Sequence, residues 1–497
     1  MFIHILPYTI TSQNIYIKEV NIDTRQWYFF YPEDILLPPH FFNDLKRLIK
    51  KNPAGAFFYF DEEWSLPDGS LYEQIKPDLN ITLLYSSAYI GNTVLCSGTL
   101  LRSLAVTQGI FPLTFFYQMA IKSLQYGFSI EHTKYPRIRH PNCPVRIERD
   151  EMVQVFNSLN ADTGLIALGG LTDHSIMIKR EWRSYPELTI CIPTRQKIND
   201  DTGELFIQEC IKSISKSTWP RDKIKIIIGD NSGKEFYDKQ DGCFTIEYLR
   251  LDELSGDNFN YAKIVNILWK QAQTEFIIFL NDDTIMVTPD WIESLASFAL
   301  ESDVGVCGPV LYYPNGTFQH AGFAGINGNP QHLWIEKKFN DKIYEGWASV
   351  QREWSAITGA VMATRRSVLE ELNGFDELFP YNFNDIDLCY KMRMRGLRVV
   401  YNPAAKFIHH ESATRGKIDK SPQKAALTFS RRWKFFLFDD PMLPKEALKY
   451  VVEEHSHPSF SCRCLKRLKD FIKLLPLSHI LIRELKYAHK SRGQKEK

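Results

Sequence analysis

The sequence predicts an α/β fold, because short apolar runs alternate with segments of helical spacing from Leu188 onward. Strands separated by helices pair mostly in parallel, and the helices then cover both faces of the sheet. A second observation is that polar residues follow three of the predicted strands, at the edge where such sheets bind ligands. These strand ends are Pro193-Thr194-Arg195, Asp230-Asn231-Ser232 and Asn281-Asp282-Asp283.

The predicted elements follow one another in a regular order. LTICI is the first strand and ends at a proline, and GELFIQECIKSISKS has helical spacing. KIKIIIGDNSG and CFTIEYL are two further strands, and the first of these runs into turn residues. NFNYAKIVNILWKQAQ is a second helix, and FIIFL is the fourth strand. We therefore expect one sheet whose polar strand ends meet at a common edge.

Composition limits the class of protein and its partners. A chain of 497 residues is too long for one ordinary core, so two or three domains are expected. Sixty Lys and Arg balance 59 Asp and Glu, and this balance predicts no nucleic-acid partner. The nine cysteines are scattered without zinc-ligand spacing, and the N-terminus has no basic leader. We expect a reduced, cytoplasmic protein that does not cross a bilayer.

Asn281, Asp282 and Asp283 end the FIIFL strand, where two adjacent carboxylates repel each other. A hard divalent cation prefers oxygen ligands and commonly shares its coordination shell with substrate phosphates. Asp283 is the first choice of direct ligand, and Asp282 faces either the metal or the sugar–ribose side of a donor. The alternative is a helix cap, because Pro289 would lie in the first turn of the next helix.

Asp230 is a second candidate, at the end of the strand KIKIIIG. A carboxylate at that edge accepts hydrogen bonds from a base or a ribose. The alternative is an Asx turn, which is the usual role of such a residue before Asn-Ser-Gly. The residues alone leave both interpretations open.

The stretch NDIDL contains Asp385 and Asp387, which as residues i and i+2 do not share a helix face. At most one of them therefore points into a common cleft, and the other caps the helix or pairs with Arg393. Asp385 lies at the helix entrance and is the better candidate for a general base. KFIHHESATRG adds His409 and His410 after another apolar run, and one of them is a candidate metal ligand, with a structural role as the alternative.

Eight stretches between Leu188 and Asp440 occur in a fixed order: LTICIPTR, IIIGDNSG, NFNYAKIVN, FIIFLNDDT, VGVCGPVLYYPNGTFQHAG, WSAITGAVMATRRSVLEELNGFDE, FNDIDLCYKMRMRGLRVVYNP and HHESATRG. In this order and spacing they resemble the inverting family 2 glycosyltransferases, which have the GT-A fold. The span is most similar to bacterial members associated with O-antigen, rhamnan and other surface polysaccharides.

The resemblance implies a nucleoside-diphosphate sugar as donor, Mg or Mn as cofactor, and a hydroxyl of a glycan or lipid-linked glycan as acceptor. Asn281, Asp282 and Asp283 occupy the family's DxD position, with Asn in the first place. Asp283 then remains the expected metal ligand. His409 matches the second metal-ligand position, and His410 is the fallback.

The other family positions fall on residues of several stretches. Asp385 matches the catalytic base, and Asn384 stands where the family has Glu. Arg415 lies in a loop that the resemblance implies closes over the diphosphate. The implied nucleotide-sugar contacts are Pro193, Thr194, Asp230, Lys263, Asn281 and Asp282, and the implied sugar and acceptor contacts are Trp354, Thr358 and Gly359.

The implied mechanism is a single displacement. Asp385 takes the proton from the acceptor hydroxyl as its oxygen attacks the anomeric carbon. The metal neutralises the charge that builds on the departing diphosphate. A displacement without a covalent intermediate inverts the anomeric centre, by the logic that applies to inverting glycosidases.

FFYPEDILLPPHF, at residues 29–41, resembles FIIFLNDDTIMVTPDW at an offset of 250 residues. Pro32 then stands at the position of Asp282, and FFYQMAIKS lacks the acids of NDIDLCYKM. Residues 1–25 are too few for the nucleotide-binding strands, so we expect a truncated, inactive module that shapes the acceptor groove or buries a face of the catalytic module. The aligned positions are Phe29-Phe30 with Phe279-Leu280, Glu33 with Asp283, Pro39 with Pro289 and Phe41 with Trp291.

Three domains are predicted: a degenerate, truncated GT-A-like domain at 1–180, a catalytic GT-A domain at 181–440, and a basic helical tail at 441–497. Residues 463–497 carry eleven Lys and Arg against three Asp and Glu. The tail is either a solvated helix pair or a basic amphipathic helix lying on the anionic inner face of the cell membrane.

Two other functions agree less well with the sequence. A nucleotidyltransferase has a Gly-rich loop after the first strand, and PTRQKINDDTG has no such run of glycines. A non-catalytic scaffold that binds a nucleotide sugar or carbohydrate is disfavoured by the complete set of Asp283, Asp385 and His409. We therefore expect an active transferase.

Overall fold

The computed structural model describes residues 2–454 except 11–13, 18–20, 107–108, 143–144, 235–243, 339–343 and 411–422. Arg415 and the basic segment 463–497 lie outside the described residues. Contacts divide the chain into two compact units, 1–448 and 449–497, and both predicted α/β modules belong to the first. Among the described residues, none of the helices is long and apolar enough to span a membrane.

The first module contains an eight-stranded mixed sheet with flanking helices, and its last two strands form a separate two-stranded sheet. Its strands are β1 (Ile3–Ile10), β2 (Asn14–Ile17), β3 (Trp27–Pro32), β4 (Gly55–Ser65), β5 (Leu71–Gln74), β6 (Val94–Ser97), β7 (Gly109–Pro112), β8 (Ser129–His140), β9 (Leu165–Gly169) and β10 (Ile176–Arg180). Its helices are α1 (Phe41–Lys51), α2 (Ile81–Ser86), α3 (Gly98–Ser103), α4 (Phe115–Gln125) and α5 (Arg149–Leu159).

The second module begins after the predicted boundary at residues 180 and 181. Its strands are β11 (Leu188–Thr194), β12 (Ile224–Asp230), β13 (Thr245–Arg250), β14 (Phe276–Leu280), β15 (Thr284–Met286), β16 (Val304–Tyr312), β17 (Phe318–His320), β18 (Phe323–Ile326), β19 (Asn329–His332), β20 (Arg352–Glu353), β21 (Val361–Arg365) and β22 (Arg398–His409). Its helices are α6 (Phe206–Ile214), α7 (Tyr261–Gln271), α8 (Trp291–Ala299), α9 (Arg366–Leu372), α10 (Asn384–Met394), α11 (Gln423–Arg432) and α12 (Lys434–Phe438), and α13 (Leu448–Glu454) follows.

The sheet of the second module has the strand order β13-β12-β11-β14-β21-β16-β22-β15. The first four strands are parallel, as their apolar runs predicted, and β21 begins a mixed half by pairing antiparallel with β14. Every residue of β14 is buried, which explains why its sequence is continuously apolar rather than alternating. Helices α7 and α8 pack against the sheet, α7 on β11 and β12 and α8 on β16 and β22.

The two modules share one order of strand pairing. In the first, β3 pairs in parallel with β1 and antiparallel with β6, which pairs with β4, and β4 pairs in parallel with β8. In the second, β14, β11, β21, β16 and β22 repeat these pairings. Equivalent partners are Phe29–Leu95 with Ile278–Ala363, Phe57–Ile130 with Val306–Val399, and Leu36–Arg139 with Ile285–Ile408.

This register differs by one residue from the predicted alignment of the strands. Equivalent strand residues lie 249 positions apart, as Phe29 and Ile278 do, so Asp34 rather than Glu33 stands at the position of Asp283. Helices α1 and α8 begin 250 positions apart, at Phe41 and Trp291, which is the offset of the predicted alignment, but Pro289 precedes α8 instead of lying in its first turn as expected. The second module therefore has one more residue between its acidic strand end and the following helix.

The first 25 residues hold more of the sheet than we expected. Strand β1 pairs in parallel with β3 as β11 pairs with β14. The next strand, β2, returns antiparallel to β1, whereas β12 runs parallel to β11 and ends at Asp230. Among the described residues, the β1–β2 hairpin therefore differs from the parallel β11–β12 pair on the side of the sheet where the second module has Asp230.

Candidate active site

The polar ends of β12, β11 and β14 meet because these strands are neighbours in the parallel half of the sheet. The hydroxyl of Thr194 donates a hydrogen bond of 2.6 Å to Oδ2 of Asp282. Pro193 lies beside Gly229 in the β11–β12 pairing, and Thr194 lies beside Asp230. The three strand ends that the sequence singled out therefore form one cluster.

Asp230 is buried, and its two carboxylate oxygens have different partners. Its Oδ1 accepts a hydrogen bond of 2.8 Å from the amide of Ser232, which is the Asx turn. Its Oδ2 accepts from Nε2 of Gln196 at 2.5 Å and from the hydroxyl of Tyr248 at 2.6 Å. Burial raises the pKa of Tyr248, and the charge of Asp230 raises that pKa further, so the phenol remains a donor.

Sequence reasoning missed Gln196 and Tyr248. Gln196 follows the first strand by two residues and has a positive φ of 50°. Tyr248 belongs to β13, which pairs with β12 so that Tyr248 lies opposite Ile228. The signal for Tyr248 was its place in the third predicted strand, next to the strand that ends at Asp230.

Asp282 is buried beneath this cluster with 5% of its surface exposed. Burial raises its pKa to about 7, and the neighbouring charge of Asp283 adds to the effect. The hydrogen bond from Thr194 opposes the shift because it favours the charged carboxylate. Two carboxylates are thus held side by side at the end of a buried strand, as the sequence predicted.

Asp283 faces His409 across the pairing of β15 with β22. Its Oδ1 lies 2.9 Å from Nε2 of His409, and its carbonyl oxygen accepts from the amide of His410 at 3.0 Å. The ring of His410 lies instead 5.3 Å from the ring of Phe206. Of the two adjacent histidines, His409 is therefore the one beside the acidic strand end.

Gln319 determines which nitrogen of His409 carries a proton. The amide Nε2 of Gln319 donates to the carbonyl oxygen of His409 at 3.1 Å, so Oε1 of Gln319 faces Nδ1 of the ring at 2.6 Å. Nδ1 must then be the protonated nitrogen of the neutral ring, and Nε2 presents a lone pair to the carboxylate of Asp283. Two lone pairs this close require a proton or a cation between them.

This donor set fits a hard divalent cation. The described residues contain no group of three or more His, Cys, Asp and Glu side chains arranged to hold a metal. A magnesium-type ion is commonly held by one or two protein ligands, with water and substrate phosphates completing its shell. Asp283 and His409, with Asp282 beside them, match that pattern.

Asp385 lies in the first turn of α10, where its Oδ2 accepts a hydrogen bond of 2.7 Å from the amide of Gly359. A Cβ atom at Gly359 would lie 3.0 Å from Cβ of Asp385, so the absence of a side chain permits this close approach. The hydroxyl of Tyr261 bonds the carbonyl oxygen of Gly359 at 3.2 Å and Oδ1 of Asn281 at 3.1 Å. Tyr261, which sequence reasoning missed, thereby links the candidate base to the acidic strand end.

Asp387 points away from this edge and is wholly buried. Its carboxylate lies 2.9 Å from Nζ of Lys391, and it accepts hydrogen bonds of 2.7 Å from Arg432 and from the indole of Trp433. The sequence correctly separated Asp385 from Asp387, but the expected partner Arg393 was wrong. Lys391 lies one helical turn beyond Asp387 on the same face, whereas Arg393 does not.

The remaining predicted contacts occupy different environments. Lys263 is exposed in the first turn of α7, and Thr358 is half-buried beside Gly359. Trp354 has no exposed surface and lies under the guanidinium of Arg352, whose central carbon is 3.5 Å from the ring centroid. The structure therefore places Trp354 in the core, beside Trp334 and Trp347.

A histidine pair, made of the buried His320 and the half-buried His332 and also missed from the sequence, adjoins this segment. Nδ1 of His320 lies 3.1 Å from Nδ1 of His332, and the amide of Thr358 donates to Nε2 of His320 at 3.4 Å. Burial lowers the pKa of both rings, that of His332 to about 3 with a contribution from His409. Both rings are consequently neutral near pH 7. In the sequence, these two histidines lie in the stretches FQHAG and NPQHLW.

Comparisons with known proteins find similarity within the second module. Residues 189–372 match the family described as Glycosyl transferase family 2. Over 248 residues the chain is 38% identical to the O-antigen biosynthesis protein RfbC of Myxococcus xanthus, covering 48% of this chain and 18% of that one. Over 207 residues it is 28% identical to the rhamnosyltransferase WbbL of Escherichia coli strain K12, covering 37% of this chain and 72% of that one.

One relative matches across both modules. The uncharacterized protein y4gI of Sinorhizobium fredii is 26% identical over 439 residues, which cover 82% of this chain and 47% of that protein. The chain thus spans less than half the length of two of these relatives. Among solved structures, GalNAc-T7 with UDP, GalNAc and Mn²⁺ aligns over 47% of this chain and 45% of that one at 13% identity, with a TM-score of 0.34.

Proposed function

We propose an inverting sugar transfer, because residues 189–372 match the glycosyl transferase family 2 model and lie in a mixed α/β sheet of the GT-A type. The donor is a nucleoside-diphosphate sugar, and the acceptor is a hydroxyl of a growing surface glycan. The relatives named for O-antigen biosynthesis and for rhamnosyl transfer support a polysaccharide product and a deoxyhexose donor.

The observation that carries this proposal is the connection of the candidate base to the acidic strand end. Asp385 accepts from the amide of Gly359, and Tyr261 bonds both the carbonyl oxygen of Gly359 and the side chain of Asn281. Asp283 follows Asn281 by two residues. A displacement between two bound substrates requires a base and a charge-binding carboxylate at fixed relative positions, and these hydrogen bonds connect the two.

Binding of the donor is assigned to the strand ends. Asp230 accepts hydrogen bonds from the ribose or base, and Gln196 and Tyr248 hold the carboxylate in position for that contact. Thr194 and Asp282 line the space between the nucleotide and the sugar. Asp283 and His409 would hold a divalent Mg or Mn ion, which when bound offsets negative charge on the diphosphate.

Proton transfer is assigned to Asp385. Its Oδ2 is held by the amide of Gly359 and its Oδ1 by the amide of Ile386, so the carboxylate cannot rotate freely. In this orientation the carboxylate accepts the proton of the acceptor hydroxyl as that oxygen attacks the anomeric carbon. The neutral histidines His320 and His332 line the adjacent segment without adding positive charge.

The test is a donor screen with the purified full chain. UDP-, dTDP- and GDP-sugars are incubated with Mg²⁺, Mn²⁺ or EDTA, and release of nucleoside diphosphate is measured with and without glycan acceptors. We expect one donor class to turn over only with a divalent ion. Asp385→Asn should abolish turnover while donor binding persists, and the exposed Asp257→Asn should leave both unchanged.

The same screen separates the transferase from its alternative. Donor binding without turnover by the wild-type chain, for every donor and acceptor, would favour a non-catalytic nucleotide-sugar-binding scaffold. Unchanged turnover in Asp385→Asn would remove Asp385 from the role of base.

A further inference from the structure

We propose that the first module positions the candidate base of the second, with Asn80 as the positioning residue that joins them. The inference rests on the proposed function, because it assigns Asp385 the role of base. It concerns a different part of the molecule, namely the first module, which contains a buried ion pair beside the residue that corresponds to His409.

The first module contains a buried ion pair beside the residue that corresponds to His409. By the register of the modules, His140 at the end of β8 stands where His409 stands at the end of β22. Nε2 of His140 lies 3.3 Å from Oε1 of Glu62, and the other carboxylate oxygen of Glu62 lies 2.7 Å from Nζ of Lys76. The side chains of Lys76 and Glu62 are each only 1% exposed, so this ion pair is sealed from solvent.

The space around this ion pair is fully used. Nζ of Lys76 also donates to the carbonyl oxygen of Ile90 at 2.8 Å. A Cβ atom at Gly91, whose φ is +76°, would lie 2.4 Å from Oε2 of Glu62 and 2.7 Å from Nζ of Lys76. Lys76 is therefore enclosed by Glu62, Gly91 and the carbonyl oxygen of Ile90.

Lys76 begins a short segment that is held along its whole length. The amide of Lys76 donates to Oδ1 of Asp61 at 2.8 Å, and the carbonyl oxygen of Pro77 accepts from the hydroxyl of Tyr59 at 2.8 Å. The amide of Asn80 donates to the hydroxyl oxygen of Tyr89 at 3.1 Å. The segment 76–80 is consequently a rigid connection from the internal ion pair to the side chain of Asn80.

Asn80 binds the backbone of the second module as a neighbouring strand would. Its Nδ2 donates to the carbonyl oxygen of Glu353 at 2.9 Å, and its Oδ1 accepts from the amide of Glu353 at 3.0 Å. The amide and the hydroxyl of Thr82 both donate to Oε1 of Glu353 at 3.0 Å. Glu353 is 3% exposed, and a buried carboxylate requires such partners, so the junction is specific as well as close.

The junction leads directly to the candidate base. After Glu353 the chain is held by Ser355, whose hydroxyl donates to Asp440 at 2.5 Å, and by Ala356, whose carbonyl oxygen accepts from the amide of Phe323 at 3.0 Å. It then reaches Gly359, which donates to Asp385. Because Ser355, Ala356 and Gly359 are each held by a partner, we expect a displacement at Glu353 to shift the amide of Gly359 that binds Asp385.

The test uses Asn80→Ser in the full chain. Asn80 also caps α2 by accepting from the amide of Leu83 at 3.0 Å, and serine is an equally good cap that is too short to bond both backbone groups of Glu353. We expect kcat to fall about tenfold with the KM for donor unchanged, because a misplacement of the base affects the chemical step. The matched control is Ser97→Ala, which removes the cap of α3 in the same module and should leave kcat unchanged.

A second measurement does not depend on turnover. Amide hydrogen exchange of the segment 351–360 should accelerate in Asn80→Ser and not in Ser97→Ala. Three outcomes would overturn the positioning role. They are unchanged exchange in Asn80→Ser, a kcat of Asn80→Ser equal to that of the control, and a KM for donor that rises as kcat falls. Accelerated exchange in a chain that turns over no donor would instead support the junction and count against the proposed function.

Discussion

Nε2 of His409 lies 2.9 Å from Oδ1 of Asp283, and Oε1 of Gln319 holds the opposite nitrogen of the same ring at 2.6 Å. The first contact joins the two candidate metal ligands. The second selects the tautomer in which Nε2 carries a lone pair. A histidine ligand is commonly oriented in this way by an outer partner on its other nitrogen. The affinity of the site for a cation should therefore depend on Gln319.

Gln319→Leu should weaken binding of Mn²⁺ by about 10- to 100-fold, because the imidazole loses the partner that fixes its tautomer and orientation. The measurement is titration of free Mn²⁺ against the protein by electron paramagnetic resonance, with donor nucleotide present. His410→Asn is the control, since its ring lies against Phe206 rather than Asp283. Equal Mn²⁺ affinities in Gln319→Leu and the wild type would contradict the assigned ligand pair.

Tyr261→Phe should lower kcat about tenfold, because the lost hydroxyl bonds both the carbonyl oxygen of Gly359 and the side chain of Asn281. The free energy of unfolding should fall by about 1–2 kcal/mol as buried acceptors lose a donor. Tyr117→Phe is a matched control, since its buried hydroxyl donates at 2.8 Å to the carbonyl oxygen of Tyr85 in the first module. It should show a similar loss of stability with unchanged kcat, and equal kcat values for the two variants would refute the link.

Asp230→Asn should weaken binding of the donor nucleotide by about tenfold or more, because a neutral amide replaces a carboxylate that accepts from Gln196 and Tyr248. Tyr248→Phe removes one of these two donors and should have a smaller effect. Calorimetric titration with the nucleoside diphosphate measures both. A larger loss in Tyr248→Phe than in Asp230→Asn would place the nucleotide contact on the phenol instead.

The sequence predicted those site residues whose chemistry follows directly after a strand. Asp230 and Asp283 were found because the carboxyl ends of parallel strands share an edge, so residue type and order sufficed. Tyr261 and Gln319 were missed because their contacts depend on which strands become neighbours. Gln319 reaches His409 only because β17 and β22 both pair with β16, and no local pattern encodes that pairing.

The similarity between the two modules was likewise predicted in part and missed in part. Local similarity aligned Phe41 with Trp291, and each of these residues begins a helix in the structure. The sequence alignment matched Glu33 to Asp283, whereas the strand pairing matches Asp34 to Asp283. The second module has one extra residue between this strand and the next helix, and only the strand pairing reveals it. The role of Lys76 was also beyond the sequence, since it depends on three strands that bring Glu62 and His140 together.

Gly322→Ala should destabilise the second module by about 1–3 kcal/mol or more through overpacking. Gly322 has a φ of +117°, and an added Cβ would lie 2.1 Å from Cδ1 of Trp354. Trp354 cannot move away, because it is fully buried under Arg352. Gly316→Ala is the control for backbone strain alone, since its φ is +78° and its Cβ would meet no neighbour within 4 Å. Urea unfolding at pH 7 measures both, and equal losses would rule out the steric cause.

The stability of the first module should depend on pH through Glu62. Burial by itself raises the pKa of Glu62, but the charge of Lys76 and the contact with His140 outweigh burial and hold the pKa at about 2. In the unfolded chain the carboxyl titrates near its ordinary value of about 4.3. A group whose pKa is depressed by folding stabilises the protein above its unfolded pKa, and this contribution is lost as pH falls toward the folded pKa. We therefore expect Glu62 to contribute fully at pH 6 and to lose about 2 kcal/mol by pH 3.

The measurement is the difference in free energy of unfolding between the wild type and Glu62→Gln, taken at several values between pH 6 and pH 3. Using the difference removes the titration of every other carboxylate that the two proteins share. The glutamine keeps the size of the side chain but cannot ionise, so the stability difference should shrink steadily with acidification below pH 4.5. A difference that stays constant down to pH 3 would mean that Glu62 is not held as a carboxylate by Lys76, and the internal ammonium would then have no charge to pair with.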